Sequence, residues 1–141
     1  MIYVSSSVII STSPKNLWDI LKKFLKSEKQ GKFIAGCTIY DETDNSFERK
    51  ILLNDDSELK ENVSFNEDKL KVTIALEDHP LFIGDTIFQI VASDKEELND
   101  RKSTLCGVIA WRMRPGIIEA PSMGDKKDFI DDVLWSILEQ V

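Results

Sequence analysis

Arg49 and Glu61 are the residues whose type and spacing point most directly to chemistry. One period-two run places Phe47, Arg49, Ile51 and Leu53 on one face and Glu48, Lys50 and Leu52 on the other. The next places Leu59, Glu61, Val63 and Phe65 against Lys60, Asn62 and Ser64. Both charges therefore fall on an apolar face, where unpartnered charge is costly. If Asn54, Asp55 and Asp56 form a short hairpin loop, the register that keeps the apolar faces together sets Leu53 opposite Ser57, Ile51 opposite Leu59, and Arg49 opposite Glu61. An inward ion pair of this kind permits two readings. In one, the guanidinium offers a fork of donors to a ligand carboxylate, carbonyl or phenolate, with Glu61 orienting it. In the other, the pair only fixes register, and truncating one member costs about 3–5 kcal/mol in either case.

Other reactive residue types are sparse. His79 is the sole histidine, held between Asp78 and Pro80 in a turn-forming stretch, and no nucleophile with an orienting acid can be placed beside it. It is expected to be structural or solvated. The acidic groupings Asp41-Glu42 with Asp44, Asp55-Asp56 with Glu58, and Glu96-Glu97 lack the oxygen-ligand spacing and central glycine of a calcium loop. One histidine and two separated cysteines argue against zinc, and no glycine-rich phosphate loop is present, so no metal or other cofactor is expected. Trp18, Trp111 and Trp135 have core-like spacing. Of the three, Trp111 is the expected cavity-lining residue, since it shares an inward face with Gly107. The lysines from Lys22 to Lys32, interrupted by Glu28, read as a solvated face.

The elements that must position these residues follow from pattern. The 141 residues suit a single domain spanning 1–141, large enough to bury roughly 68–70% of its unfolded surface. With 18 basic and 25 acidic side chains the net charge is −7, which repels a phosphate backbone and argues against nucleic acid as a partner. No apolar run approaches the ~20 residues of a membrane span, so membrane insertion is not expected. No leader is visible before the alternation that starts at Ile2, and Cys37 and Cys106 lie apart in strand-like runs, which together predict a cytoplasmic protein with free thiols. A strand is expected over Ile2–Ser11. Ser13-Pro14 then starts a helix running to about Gln30, with Leu17, Trp18, Ile20, Leu21, Phe24 and Leu25 as its apolar stripe. From Phe33 to Arg114, period-two runs broken by polar turns predict a six-stranded antiparallel meander that includes a long polar loop over Ser93–Ser103. The last strand points Leu105, Gly107, Ile109, Trp111 and Met113 inward. After loop signals at Pro115-Gly116 and Pro121–Gly124, Phe129, Val133, Ile137 and Val141 alternate by fours beside Ile130, Leu134 and Leu138, marking an amphipathic closing helix. The fold class is therefore α+β, with a seven-stranded antiparallel sheet curling around its C-terminal helix and leaving a cleft between them.

This order resembles the helix-grip fold of the START/Bet v 1-like (SRPBCC) superfamily. Within it, the stretch from Phe33 through Met113 is similar to the small AtaL-like branch, on the residues Lys32-Phe33-Ile34-Ala35-Gly36-Cys37, Phe47-Glu48-Arg49, Lys60-Glu61-Asn62-Val63 and His79-Pro80-Leu81-Phe82-Ile83-Gly84. Members of the superfamily bind lipids, hormones or polyketide-like molecules, and some act as cyclases. The resemblance thus implies a small hydrophobic or amphipathic ligand in the cleft, and the residues expected to contact it are Arg49, Glu61, Trp111, Ile109, Phe47, Val63, Phe88 and Leu134. A cyclase or dehydratase, in which Arg49 stabilises an enolate and Glu61 or His79 moves a proton, is the second possibility. A partner-binding module with a filled core is the third.

Overall fold

The computed structural model describes residues 2–92, 102–117 and 124–141. Of the loops expected over Ser93–Ser103 and Pro121–Gly124, residues 93–101 and 121–123 lie outside the described residues, while Ser103 and Gly124 already belong to the following strand and helix. Seven strands form one antiparallel sheet: β1 (Ile2–Ile10), β2 (Ile34–Tyr40), β3 (Ser46–Leu53), β4 (Glu58–Asn66), β5 (Lys71–Glu77), β6 (Phe82–Ala92) and β7 (Ser103–Met113). Their spatial order is β1-β7-β6-β5-β4-β3-β2, so β2 to β7 run as a meander and β1 pairs with the last strand. Among the described residues the sheet is accompanied by two helices, α1 (Pro14–Phe24) and α2 (Gly124–Leu138). The fold is α+β, as the alternation predicts.

Both helices share one core with the inward face of the sheet. Leu17, Trp18, Leu21 and Phe24 of α1 and Ile130, Val133, Leu134 and Ile137 of α2 are buried with Phe47, Val63, Val72, Phe88, Leu105 and Ile109 of the strands. The α2 helix packs chiefly over β1 and β7. Gly107 permits this close approach, because a Cβ at that position would lie 2.9 Å from Ile130 Cδ1 and 3.2 Å from Phe88 Cε1. The bulk that glycine removes is thus replaced by α2 and does not widen a cleft.

Three expectations change. The first helix begins as predicted, with the Ser13 side chain accepting from the Asn16 N–H and Pro14 in the first turn, but it stops at Phe24 and not near Gln30. Beyond it the Phe24 carbonyl accepts from Ser27 Oγ (2.6 Å), and the Leu25 carbonyl accepts from Gln30 Nε2 (3.1 Å) and Arg49 Nη1 (2.9 Å). Acceptors that a further turn would have used are taken by side chains, so the chain peels away. Trp135 is 57% exposed, because Ile130, Val133, Leu134 and Ile137 define the buried side of α2 and residue 135 falls outside it. Val141 lies past the helix end and is exposed.

Candidate functional site

The hairpin register places Arg49 opposite Glu61 and Ile51 opposite Leu59, as the alternation predicts. Both charged residues are 5% exposed, and Arg49 Nε donates to Glu61 Oε1 at 2.8 Å. The remaining described bonds of the guanidinium run to the connection between α1 and β2: Nη1 donates to the Leu25 carbonyl (2.9 Å) and to Gln30 Oε1 (3.0 Å). Gln30, itself fully buried, donates onward from Nε2 to the carbonyls of Leu25 and Ser27. Arg49 therefore fastens this connection to the inward face of the sheet. Cys37 borders the same knot, and burial pushes its thiol pKa up despite the nearby Arg49 charge.

A cavity of about 510 Å³ lies on the other side of Glu61. Its apolar wall includes Phe33, Leu53, Leu59, Phe82, Trp111 and Phe129, with Glu61, Thr86 and Ile109 also facing it. These side chains come from β3, β4, β6, β7, α2 and the approach to β2. Asn54, Asp55 and Ser57 of the β3–β4 loop, Glu58 at the start of β4, His79 and Leu81 of the β5–β6 loop, and Lys126 and Asp128 of α2 contribute the rest of its rim. Cross-ties hold that rim. The Asn54 N–H donates to the Phe33 carbonyl (3.1 Å), the Lys32 N–H donates to Asp132 Oδ2 of α2 (2.9 Å), and the Phe33 and Phe129 rings lie 5.9 Å apart. Hydrogen bonds from the Ser57 hydroxyl and N–H keep Asp55 below the usual carboxylate range.

On the opposite wall, Phe82 and Trp111 lie 5.3 Å apart, with Lys126 Nζ 5.0 Å and 5.5 Å from their respective ring centres. Gly84, paired with Trp111, lets the strands meet there: its φ is +152° and a Cβ would come within 2.3 Å of the Ala110 carbonyl oxygen. His79 joins this aromatic group, 5.5 Å from Phe82 and 6.2 Å from Trp111. Its Nδ1 accepts from the N–H groups of Leu81 (3.1 Å) and Phe82 (3.2 Å), which leaves Nε2 to carry the hydrogen of the neutral ring. Burial, and then the Lys126 and Arg114 charges, hold its pKa below the usual imidazole value.

Of the residues expected to hold a ligand, Glu61, Ile109 and Trp111 line the cavity. Arg49 and Phe88 do not; they border a separate void of about 20 Å³ behind Glu61, on the order of one water molecule. Phe47, Val63 and Leu134 lie in the core. Phe47 and Val63 are excluded because α1 covers that end of the sheet, where Phe65 stands 5.9 Å from the Trp18 ring and 5.7 Å from the Phe47 ring. Leu134 is on the α2 side pressed into the core. His79 is a cavity residue and not merely a turn residue. Thr86 could have been found from the sequence: it interrupts the apolar alternation Phe82, Phe88, Ile90 just as Glu61 interrupts its own strand. Among the described residues no group of His, Cys, Asp or Glu could hold a metal ion.

No family model matches the chain, and no curated protein matches it in sequence. Solved structures do match in shape. A START superfamily protein from Mycobacterium smegmatis superposes with a TM-score of 0.71 at 14% identity, over 99% of this chain and 96% of that one. The Zhui aromatase/cyclase of a Streptomyces species gives 0.72 at 9% identity, over 98% and 92%. A Thermus thermophilus protein gives 0.75 at 8% identity, over 98% and 95%. At these identities the likeness concerns the backbone, and it does not reach the narrower AtaL-like branch. Seven antiparallel strands with a long closing helix across their inward face, matched over nearly the whole chain, give this protein the START/Bet v 1-like helix-grip fold.

Proposed function

We propose that this protein binds a small, largely apolar molecule in the cavity between the sheet and the first turns of α2. The observation that carries this reading is the cavity itself: about 510 Å³, walled by Phe33, Leu53, Leu59, Phe82, Trp111 and Phe129, with a few polar groups facing in. That size and composition suit a small-molecule site. A filled-core partner module has less support, since the space beside the ion pair is not closed by side chains. The START protein and the aromatase/cyclase that share the fold support ligand binding by analogy of architecture. Free Cys37 and Cys106 fit a reducing compartment, and on this reading the protein works in the cytoplasm. A thermal-shift and native-mass screen against fatty alcohols, sterols and aromatic polyketides tests the reading. At least one class should bind the wild type and lose binding in Thr86→Phe, which fills the polar inner wall; a screen without binders overturns it.

A cyclase or dehydratase reading is favoured by one observation, that Glu61 and His79 both face the cavity. Glu61 would accept a proton α to a carbonyl, and the neutral His79 would donate from Nε2 to the developing oxyanion. Turnover of a linear poly-β-ketone thioester, abolished in Glu61→Gln, is the expected result. No turnover by the wild type would remove this reading and leave ligand binding intact.

A further inference from the structure

The sequence suggests that an anionic ligand end would meet Arg49, but the three-dimensional arrangement interposes Glu61. Arg49 Nε is spent on Glu61 Oε1 (2.8 Å) and Nη1 on the Leu25 carbonyl (2.9 Å) and Gln30 Oε1 (3.0 Å), and the guanidinium borders the small void behind the cavity wall. Glu61 faces the cavity, is 5% exposed, and its Oε2 takes no hydrogen bond from the described residues. A carboxylate oxygen accepts and cannot donate, so one that faces an apolar cavity with open lone pairs is matched by a donor. The surrounding charge has the same sense. Asp55, Glu58, Glu61 and Asp128 face the cavity, with Lys126 as the lining lysine. Arg49 pairs with Glu61, and Lys50 with Glu58 at 3.5 Å. His79 adds no positive charge at neutral pH, since its pKa is held down by burial and by Lys126 and Arg114.

We propose that the cavity recognises its ligand through a hydrogen-bond donor, a hydroxyl or an amine, seated on Glu61 Oε2, and rejects carboxylate-headed molecules of the same apolar shape. This deepens the ligand-binding reading and rests on it. A ligand carboxylate at this position would face another carboxylate, with Nε and Nη1 of Arg49 already bonded and the guanidinium bordering the small void and not this cavity. An alcohol or amine would satisfy the open oxygen, and the Thr86 hydroxyl on the same wall can share the bond.

Four ligands with one twelve-carbon chain and different heads test this: dodecanol, dodecylamine, methyl dodecanoate and dodecanoate, each displacing the neutral fluorophore N-phenyl-1-naphthylamine from the wild-type chain at pH 7.5. The alcohol and amine should displace the probe at concentrations about tenfold lower than the methyl ester, which cannot donate, and lower again than the carboxylate. Glu61→Gln should narrow the gap between dodecanol and dodecanoate. Equal potency of ester and alcohol overturns the donor site, as does a carboxylate that binds as well as the alcohol. If neither the probe nor any of the four binds, the ligand-binding reading itself falls, and this proposal with it. The four-head comparison uses only the wild type, so it decides the question even if the variant fails to fold.

Discussion

Arg49 and Glu61 show how a buried charge acquires a role from what lies on each side of it. Toward the core, Arg49 ties Glu61 to the carbonyl and amide of residues 24 and 19 positions away in the chain. Arg49→Met leaves Glu61 buried without its cation, and the expected loss is about 3–5 kcal/mol in urea denaturation. Arg49→Met combined with Glu61→Leu should recover much of that loss, because removing both charges also removes their desolvation. A double variant no more stable than the single one would show that the bonds to Leu25 and Gln30 dominate. His79 carries a pH prediction. Its folded pKa lies below the usual 6.5, so as pH falls the unfolded chain takes up this proton before the folded one does. The stabilisation tied to the neutral ring is therefore complete above about 6.5 and is lost as pH drops from there through the folded value. Proton NMR of the single imidazole should give a midpoint under 6.5, and His79→Asn should flatten the stability profile in that window.

At the scale of elements, two glycines decide how closely strands and helix approach. Gly107→Ala places a methyl group against the tip of Ile130 and the edge of Phe88, both of which can shift a little, and should cost about 1–3 kcal/mol. Gly84→Ala should cost more, since its Cβ would meet the Ala110 carbonyl at 2.3 Å and φ is +152° there. Denaturation midpoints of the two variants test the order; a Gly84→Ala midpoint at or above that of Gly107→Ala contradicts it. Strands were the most legible elements. The alternation around Arg49 and Glu61, and the inward set Leu105, Gly107, Ile109 and Trp111, reappear in the sheet because side-chain direction in a strand has a local period of two. The end of α1 was not legible. Its stripe continues through Leu25, and the cap that stops it comes from Gln30 and Arg49, the latter on a strand beyond the next turn.

For the whole molecule, the ligand reading predicts linkage between binding and folding. A ligand present at 100 times its Kd should add about 2.7 kcal/mol, which for a domain of this size raises Tm by roughly 5–10 °C. The shift should grow with ligand concentration and disappear in Thr86→Phe. Local spacing was enough for the β3–β4 register, the inward residues of that hairpin and of β7, the amphipathic closing helix and the α+β architecture, because each is written in spacings of two to four residues or in neighbours across one short hairpin. Where the cavity lies, and which member of the ion pair faces it, depended on packing across the whole fold. That volume is the space left after α1 covers one end of the sheet and α2 crosses the other. Its walls join Phe33, the β3–β4 loop, His79, Trp111 and Phe129, segments brought together only when the whole chain packs.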